Sequence, residues 1–143
     1  MRTGGRVAAA GLVLGGMVLG IAPAAHATGT ALSGTYDVVG PSSLLDTWTI
    51  TPQCAEVSIG CESDVHSALI DGQAFYRGAN TWVMTLKGMV PVCPDHTKAK
   101  GAMIFQWDAV SLDGQLMAIQ QGVCQMTRPG QAQIAFKLVK SAG

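Results

Sequence analysis

The sequence predicts an all-β fold of about eight antiparallel strands, arranged as a meander that forms a small barrel or a sandwich. Three observations favour this class. Short segments rich in β-branched and aromatic residues alternate apolar and polar positions, as half-buried strands do. Gly, Pro, Asn and Asp separate these segments at close intervals, which leaves no room for the helical crossovers of a parallel sheet. Beyond the N-terminal stretch, no long window repeats with a helical period.

The first four strands are predicted at residues 34–39, 47–51, 64–69 and 73–76. Alternation is clearest in the second, where it turns Trp48 inward. Two Asp-Gly pairs, Asp71-Gly72 and Asp113-Gly114, are typical of two-residue hairpin turns, and we expect the chain to reverse at both.

The last four strands are predicted at residues 82–87, 103–110, 115–125 and 134–139. The strand at 115–125 has two possible registers, because Met117 and Ile119 compete with Leu116 and Ala118 for the inward face. Arg128-Pro129-Gly130 predicts the turn before the last strand. The inferred inward faces carry five large aromatic residues: Trp48, Trp82, Phe105, Trp107 and Phe136.

Residues 1–27 have the three parts of a secretory signal peptide. Arg2 and Arg6 form a basic start, an uncharged stretch rich in Ala, Leu, Val and Gly follows, and small residues stand at the −3 and −1 positions of a cleavage site after Ala27. We therefore expect export to leave residues 28–143 as a single β domain.

The charge of this predicted mature chain excludes one class of partner. Without Arg2 and Arg6, seven of the nine basic residues remain against nine acidic ones, a formal charge of −2. A weakly acidic chain lacks the basic footprint of a nucleic-acid-binding protein. No later segment approaches the ~20 apolar residues of a membrane-spanning helix. We expect a secreted protein whose partner is a component of the envelope or of a host.

All four cysteines lie in the predicted mature chain, and an even number in a short exported protein is typical of disulfides. Three pairings are possible. Cys54 and Cys61 bracket a short loop between strand-like flanks, which favours Cys54–Cys61 as the clamp of a hairpin. Cys93–Cys124 then follows by elimination. The two bridges would stabilise the fold by about 2.5 and about 3.7 kcal/mol.

Several motifs stand in order along the chain: Thr47-Trp48-Thr49-Ile50-Thr51-Pro52, Cys54 with Cys61, Trp82, Cys93-Pro94-Asp95, Phe105-Gln106-Trp107-Asp108, Leu112-Asp113-Gly114 and Cys124. Together they resemble small secreted proteins that are common in mycobacteria, over about residues 33–139. The resemblance implies export and disulfides and no particular activity. A fainter likeness, at residues 32–36, is to the first strand of lipocalin- and avidin-type barrels, which usually have Trp in place of Tyr36.

We expect a non-catalytic binding module, because no catalytic motif stands out. The G-x-S-x-G and H-E-x-x-H motifs and a Gly-rich phosphate loop are absent from the sequence. The alternative is a small exported hydrolase in which Asp64 and His66, on one strand face, activate a serine such as Ser67 or Ser111. A further alternative is a carrier that holds a small apolar ligand inside the barrel.

No cofactor and no metal ion is expected. The sequence has no C-x-x-C, and His66 and His96 do not stand at zinc-finger spacing from the cysteines. Glu56, Glu62 and Asp64 around the first bridge are the one conceivable calcium cluster. The longest loop places Asp95 and His96 beside Lys98 and Lys100, in a setting where binding residues are common.

Overall fold

The computed structural model describes residues 29–93, 95–120 and 130–141, and within them the chain forms a closed antiparallel β-barrel. Its strands, in chain order, are β1 Gly34–Val39, β2 Thr47–Pro52, β3 Glu62–His66, β4 Asp71–Gly78, β5 Thr81–Val90, β6 Ala99–Asp108, β7 Asp113–Gln120 and β8 Gly130–Lys140. Each strand pairs with the next, and β1 pairs with β8 to close the ring. The predicted all-β class is confirmed, and its architecture is the barrel.

Direct contact between aromatic rings spans the interior of the barrel. Trp48 of β2 packs edge to face against Phe105 and Trp107 of β6, with ring centroids 5.1 and 5.5 Å apart. Phe136 of β8 meets the same indole at 5.7 Å. These side chains are buried, as is Trp82, so the predicted inward faces are confirmed. Strands β2 and β6 lie on opposite sides of the ring, so their contact fills its centre.

The two ends of the barrel are built differently. At one end the N-terminal residues 29–33 lie across the opening, where the amide of Gly29 donates to the carbonyl of Val57 at 3.0 Å and Leu32 is buried. At the opposite end lie the connections formed by residues 40–46, by residues 67–70, and by residues 91–93 with 95–98. Leu44 and Val92 are buried beneath those connections.

The predicted hairpin turns at the Asp-Gly pairs are wrong. Asp71-Gly72 begins β4 and Asp113-Gly114 begins β7, and each pair is already joined to a neighbouring strand. The reversals come just before, at residues 67–70 and 109–112. The weak strand expected at 64–69 is likewise displaced, since β3 ends at His66.

Packing explains why glycine follows aspartate at both places. A methyl group on Gly114 would collide with the ring of Phe136 and the carbonyl oxygen of Gln106, and one on Gly72 would press on the sulfur of Met84. Neither glycine has a positive φ. The register left open for the seventh strand is also settled, because Leu116 is fully buried.

One disulfide of the two expected lies in the described part of the chain. Cys54 and Cys61 are bonded, with their Cα atoms 5.9 Å apart, as the spacing predicted. Cys93 is disulfide-bonded and buried. Cys124 lies outside the described residues, as do the predicted signal peptide 1–27 and the turn at Arg128-Pro129, so the Cys93–Cys124 pairing stays a prediction.

Candidate functional site

The arrangement around His66 differs from the predicted hydrolase pair. The imidazole Nδ1 contacts the carboxylate of Asp71, its direct neighbour on β4, and both side chains are solvent-exposed. Asp64 does share the outward face, but its oxygens accept hydrogen bonds from the amide groups of Gln53 and Gln73, at 2.9 and 3.3 Å. The Asp64/His66 relay is therefore not assembled.

Neither candidate serine is placed as a nucleophile. The Ser67 hydroxyl accepts hydrogen bonds from the amides of Leu69 and Ile70 at 3.1 and 2.9 Å, which builds the β3–β4 turn. Ser111 lies in the β6–β7 turn at the opposite end of the barrel from His66. Nothing in this geometry supports the hydrolase hypothesis.

Glu56, Glu62 and Asp64, the acidic residues around the first disulfide, do not gather into one cluster. Among the residues that the structure describes, no three His, Cys, Asp or Glu side chains come close enough together to hold a metal ion. Glu56, Glu62 and Asp64 are thus separate carboxylates along the hairpin that Cys54 and Cys61 clamp.

The interior does not favour the apolar-carrier hypothesis, because aromatic side chains meet across the centre of the barrel. Trp48, Trp82 and Trp107 are at most 2 % exposed.

Three buried polar groups of the interior have no hydrogen-bond partner in the described structure. They are the indole Nε1 of Trp48, the indole Nε1 of Trp107 and the hydroxyl of Ser63. A buried donor without a partner raises the free energy of the folded state by about 1–3 kcal/mol.

The outer surface has an open seam between β4 and β5. The two strands pair only from Ala74 to Gly78 on β4 and from Thr81 to Met84 on β5. On its other side β5 continues to pair with β6 as far as Val90. Residues 85–90 therefore present one edge that no described strand covers.

Two grooves, each of about 580 Å³, lie along this seam. We call them together the seam groove, defined by the residues that both share, Asp71, Thr85 and Leu86. One half holds the His66–Asp71 pair. The other half runs between the β3–β4 turn and the end of β5, and its walls include Lys87 and Lys98. One half of the seam groove is thus lined by Asp64, His66 and Asp71, and in the other half, which we call the cationic half, two lysines stand beside the shared Asp71.

The loop that supplies Lys98 is fixed by local hydrogen bonds. The pKa of Asp95 lies below its ordinary value of 3.8, chiefly because Thr97 donates hydrogen bonds to its carboxylate. The imidazole Nε2 of His96 donates to the carbonyl oxygen of Ser43 at 2.6 Å. These bonds tie residues 95–97 together and to the β1–β2 connection.

Sequence reasoning missed the seam groove. The lysines that line it are eleven positions apart, and an antiparallel hairpin brings them to one place. Met89 stands among them at 66 % exposure. The strand predicted at 82–87 ended before Met89, and Lys98 was placed in a loop, so the grouping becomes visible only with the longer β5 and the β5–β6 register.

The fold and the surface of the described residues define a class: a small, disulfide-containing, closed eight-stranded barrel with aromatic rings in contact across its interior and an open outer seam. Comparison with protein-family models, with curated proteins and with solved structures gives no match for this chain. No helix in the described residues has the length and apolar character that crossing a membrane requires.

Proposed function

We propose that this protein is an exported, non-catalytic binding domain that holds its ligand on the outside of the barrel. The observation that carries the proposal is the seam groove, where two strands part and leave uncovered backbone beside polar and charged side chains. Concave surfaces with a few convergent polar groups are the usual form of a ligand site. The interior, in contrast, is occupied by aromatic rings in mutual contact.

The export part of the proposal is supported by two features. The Cys54–Cys61 disulfide is typical of proteins that fold in an oxidising compartment. Residues 1–27 have the pattern of a secretory signal, and the resemblance to small secreted mycobacterial proteins agrees with it. In such a compartment the partner would be a component of the envelope or of a host.

Nuclear magnetic resonance of the isotopically labelled residues 28–143 tests where binding occurs. Three probes of different chemistry are titrated separately: inorganic phosphate, N-acetylglucosamine and octanol. We expect at least one of the polar probes to shift the amide signals of Thr85, Leu86 and Lys87 while the indole signal of Trp48 stays unchanged.

Two outcomes would refute the proposal. If octanol alone binds and shifts the indole signals of Trp48 and Trp107, the barrel is an apolar carrier. If none of the three probes shifts an amide of the seam groove, the groove is not a binding site.

A further inference from the structure

We propose that the cationic half of the seam groove docks onto the anionic headgroups of a lipid surface, with Met89 entering the apolar layer beneath them. The proposal rests on the proposed binding function and specifies its ligand class. It depends on three observations: three neighbouring lysines that take part in none of the ion pairs of the described structure, a large exposed apolar side chain among them, and an edge that is badly shaped for a protein partner.

The positive charge comes from three lysines on one hairpin. Lys87 and Lys98 line the same half of the groove. Lys100 lies directly opposite Met89 in the β5–β6 register, so their side chains share one face. In the described structure the ion pairs are His66–Asp71 and Lys137–Asp113, and none of the three hairpin lysines takes part in either. Asp71 also lines this half, but its carboxylate contacts His66, so the lysines remain available to an anion.

Met89 adds apolar area in the middle of this charge. Its exposure of 66 % is large for a methionine, and the groove brings it together with Lys87 and Lys98. Lysine stems are themselves apolar and can keep their charged ends at headgroup level while a neighbour goes deeper. Cationic groups around an apolar side chain match an amphiphile with an anionic head, which a free anion alone would not require.

The charge distribution also sets an orientation. Asp37 on β1 and Glu62 on β3 belong to strands that do not pair with the β5–β6 hairpin. The acidic residues beside the hairpin are Asp71 and Asp95, whose carboxylates are already engaged by His66 and by the amide of Thr97. An anionic surface repels the side of the barrel formed by β1 and β3 and attracts the hairpin. The domain would therefore approach the lipid with the end of β5 foremost, although its formal charge without residues 1–27 is −2.

A lipid is favoured over a peptide that adds a strand to the free edge. Gly88 has a φ of +96°, which interrupts the extended backbone that strand addition needs. A lysine on an exposed edge, as at position 87, is a common guard against edge-to-edge pairing. The edge is thus open to small headgroups and poorly suited to a continuous ladder.

Co-sedimentation with vesicles tests the proposal on residues 28–143 with disulfides intact. We expect binding to vesicles of phosphatidylglycerol and phosphatidylcholine in equal parts, and none to vesicles of phosphatidylcholine alone. Lys87→Gln and Lys98→Gln should each weaken binding about five-fold. Met89→Ser should weaken it as well while leaving thermal unfolding unchanged, because the side chain is exposed.

The matched control is the double variant Arg77→Gln with Lys137→Gln, which removes two positive charges elsewhere and should bind anionic vesicles as the parent does. Equal weakening in the control would mean that net charge alone acts, and the proposal would fail. It would also fail if Met89→Ser bound normally and inorganic phosphate released the domain from vesicles, which would define a free-anion site. The proposal would also be refuted if the domain bound an acidic peptide and did not bind anionic vesicles.

A failure of the lipid proposal can be distinguished from a failure of the proposed function. If polar probes shift the amides of the seam groove but anionic vesicles do not bind, the external binding site stands and the lipid assignment is wrong. If vesicles bind through Lys87, Lys98 and Met89, both stand.

Discussion

Two buried serines, Ser63 in β3 and Ser67 in the turn that follows it, differ in their hydrogen bonding. The hydroxyl of Ser63 is 1 % exposed and has no partner among the described residues. The hydroxyl of Ser67 accepts from two backbone amides and lies 3.2 Å from the carbonyl oxygen of Ile70, to which it donates. Burial without a partner destabilises the fold, whereas a satisfied hydroxyl stabilises it.

Alanine at the two positions should have opposite effects. Ser67→Ala leaves two turn amides without their acceptor and should lower the free energy of unfolding by about 1–3 kcal/mol. Ser63→Ala removes an unpartnered group and should leave stability unchanged or raise it by up to about 1 kcal/mol. Urea denaturation measures both. A larger loss for Ser63→Ala would mean that its hydroxyl bonds a buried water.

The lowered pKa of Asp108 predicts that the stabilisation provided by the β6–β7 turn depends on pH. This pKa lies below the ordinary 3.8, chiefly because the amide of Ser111 donates to the carboxylate at 2.8 Å, with the amide of Val110 adding a bond of 2.7 Å. Folding lowers this pKa, so the stabilisation is fully present above pH 3.8 and is lost as the pH falls through the lower folded value.

An NMR pH titration of the amide signals of Val110 and Ser111 measures that folded value. We expect one transition with a midpoint below 3.8, and we expect Asp108→Asn to abolish it. A midpoint at or above 3.8 would contradict the assignment.

The partner of His66 shows what a strand pattern can predict about a site. Alternation correctly places Asp64 and His66 on one face, but residues two apart on a strand are about 6.6 Å from each other. Directly opposed residues on neighbouring strands have Cβ atoms about 4.5–5.5 Å apart. The cross-strand residue, Asp71, is therefore the closer carboxylate, and finding it requires the β3–β4 register. No local pattern contains that register.

At the scale of elements, alternation predicted faces well and turns poorly. The inward Trp, Phe and Leu positions follow from a period of two because burial of large apolar side chains dominates there. The Asp-Gly pairs led to a wrong prediction of turns because glycine is used for two reasons. It can adopt a positive φ in a turn, or it can leave room for the side chain of a neighbouring residue. At Gly114 the neighbour is the ring of Phe136, which comes from another strand.

The register of β6 can be tested with two adjacent residues. Trp107 is 2 % exposed and packs on Trp48, so Trp107→Ala should cost about 3–5 kcal/mol. Gln106 faces solvent, and Gln106→Ala should cost under about 1 kcal/mol. A domain of this size has about 5–15 kcal/mol in total, so the first variant would be marginal. Chemical denaturation with disulfides intact measures both losses of stability. If Gln106→Ala cost more than Trp107→Ala, the register of β6 would be shifted by one residue.

For the whole molecule, the number of strands was predictable and the closure was not. Seven of the eight pairings join consecutive strands, which short turns already imply. The choice between barrel and sandwich depends on whether β1 pairs with β8, at the two ends of the domain. Both architectures need the same inward alternation, so the pattern cannot separate them. The seam groove depends on where the β4–β5 pairing stops while the β5–β6 pairing continues, and no local pattern contains that difference either.

The closure of one barrel end depends on residues 29–33. The indole Nε1 of Trp82 donates to the carbonyl of Thr30 at 2.9 Å, and the amide of Thr30 donates to the side chain of Asn80 at 3.2 Å. Gly29 lies so close to the ring of Tyr76 that a methyl group there would collide with it. Predicted cleavage after Ala27 would leave this segment whole, with one residue before it.

Shortening the mature chain so that it begins at Gly34 should therefore expose Trp82 and Tyr76. The variant loses the burial of Leu32, worth about 1.5–3 kcal/mol, and leaves the indole N–H of Trp82 without its acceptor, at about 1–3 kcal/mol. We expect a lower urea midpoint and a red shift of tryptophan emission. Thr30→Ala is the matched control, because its backbone keeps both hydrogen bonds and its exposed side chain contributes little, so it should cost under about 0.5 kcal/mol. If the shortened chain unfolded at the same urea concentration as the parent, with unshifted emission, residues 29–33 would be a loose tail and the aromatic end of the barrel would close without them.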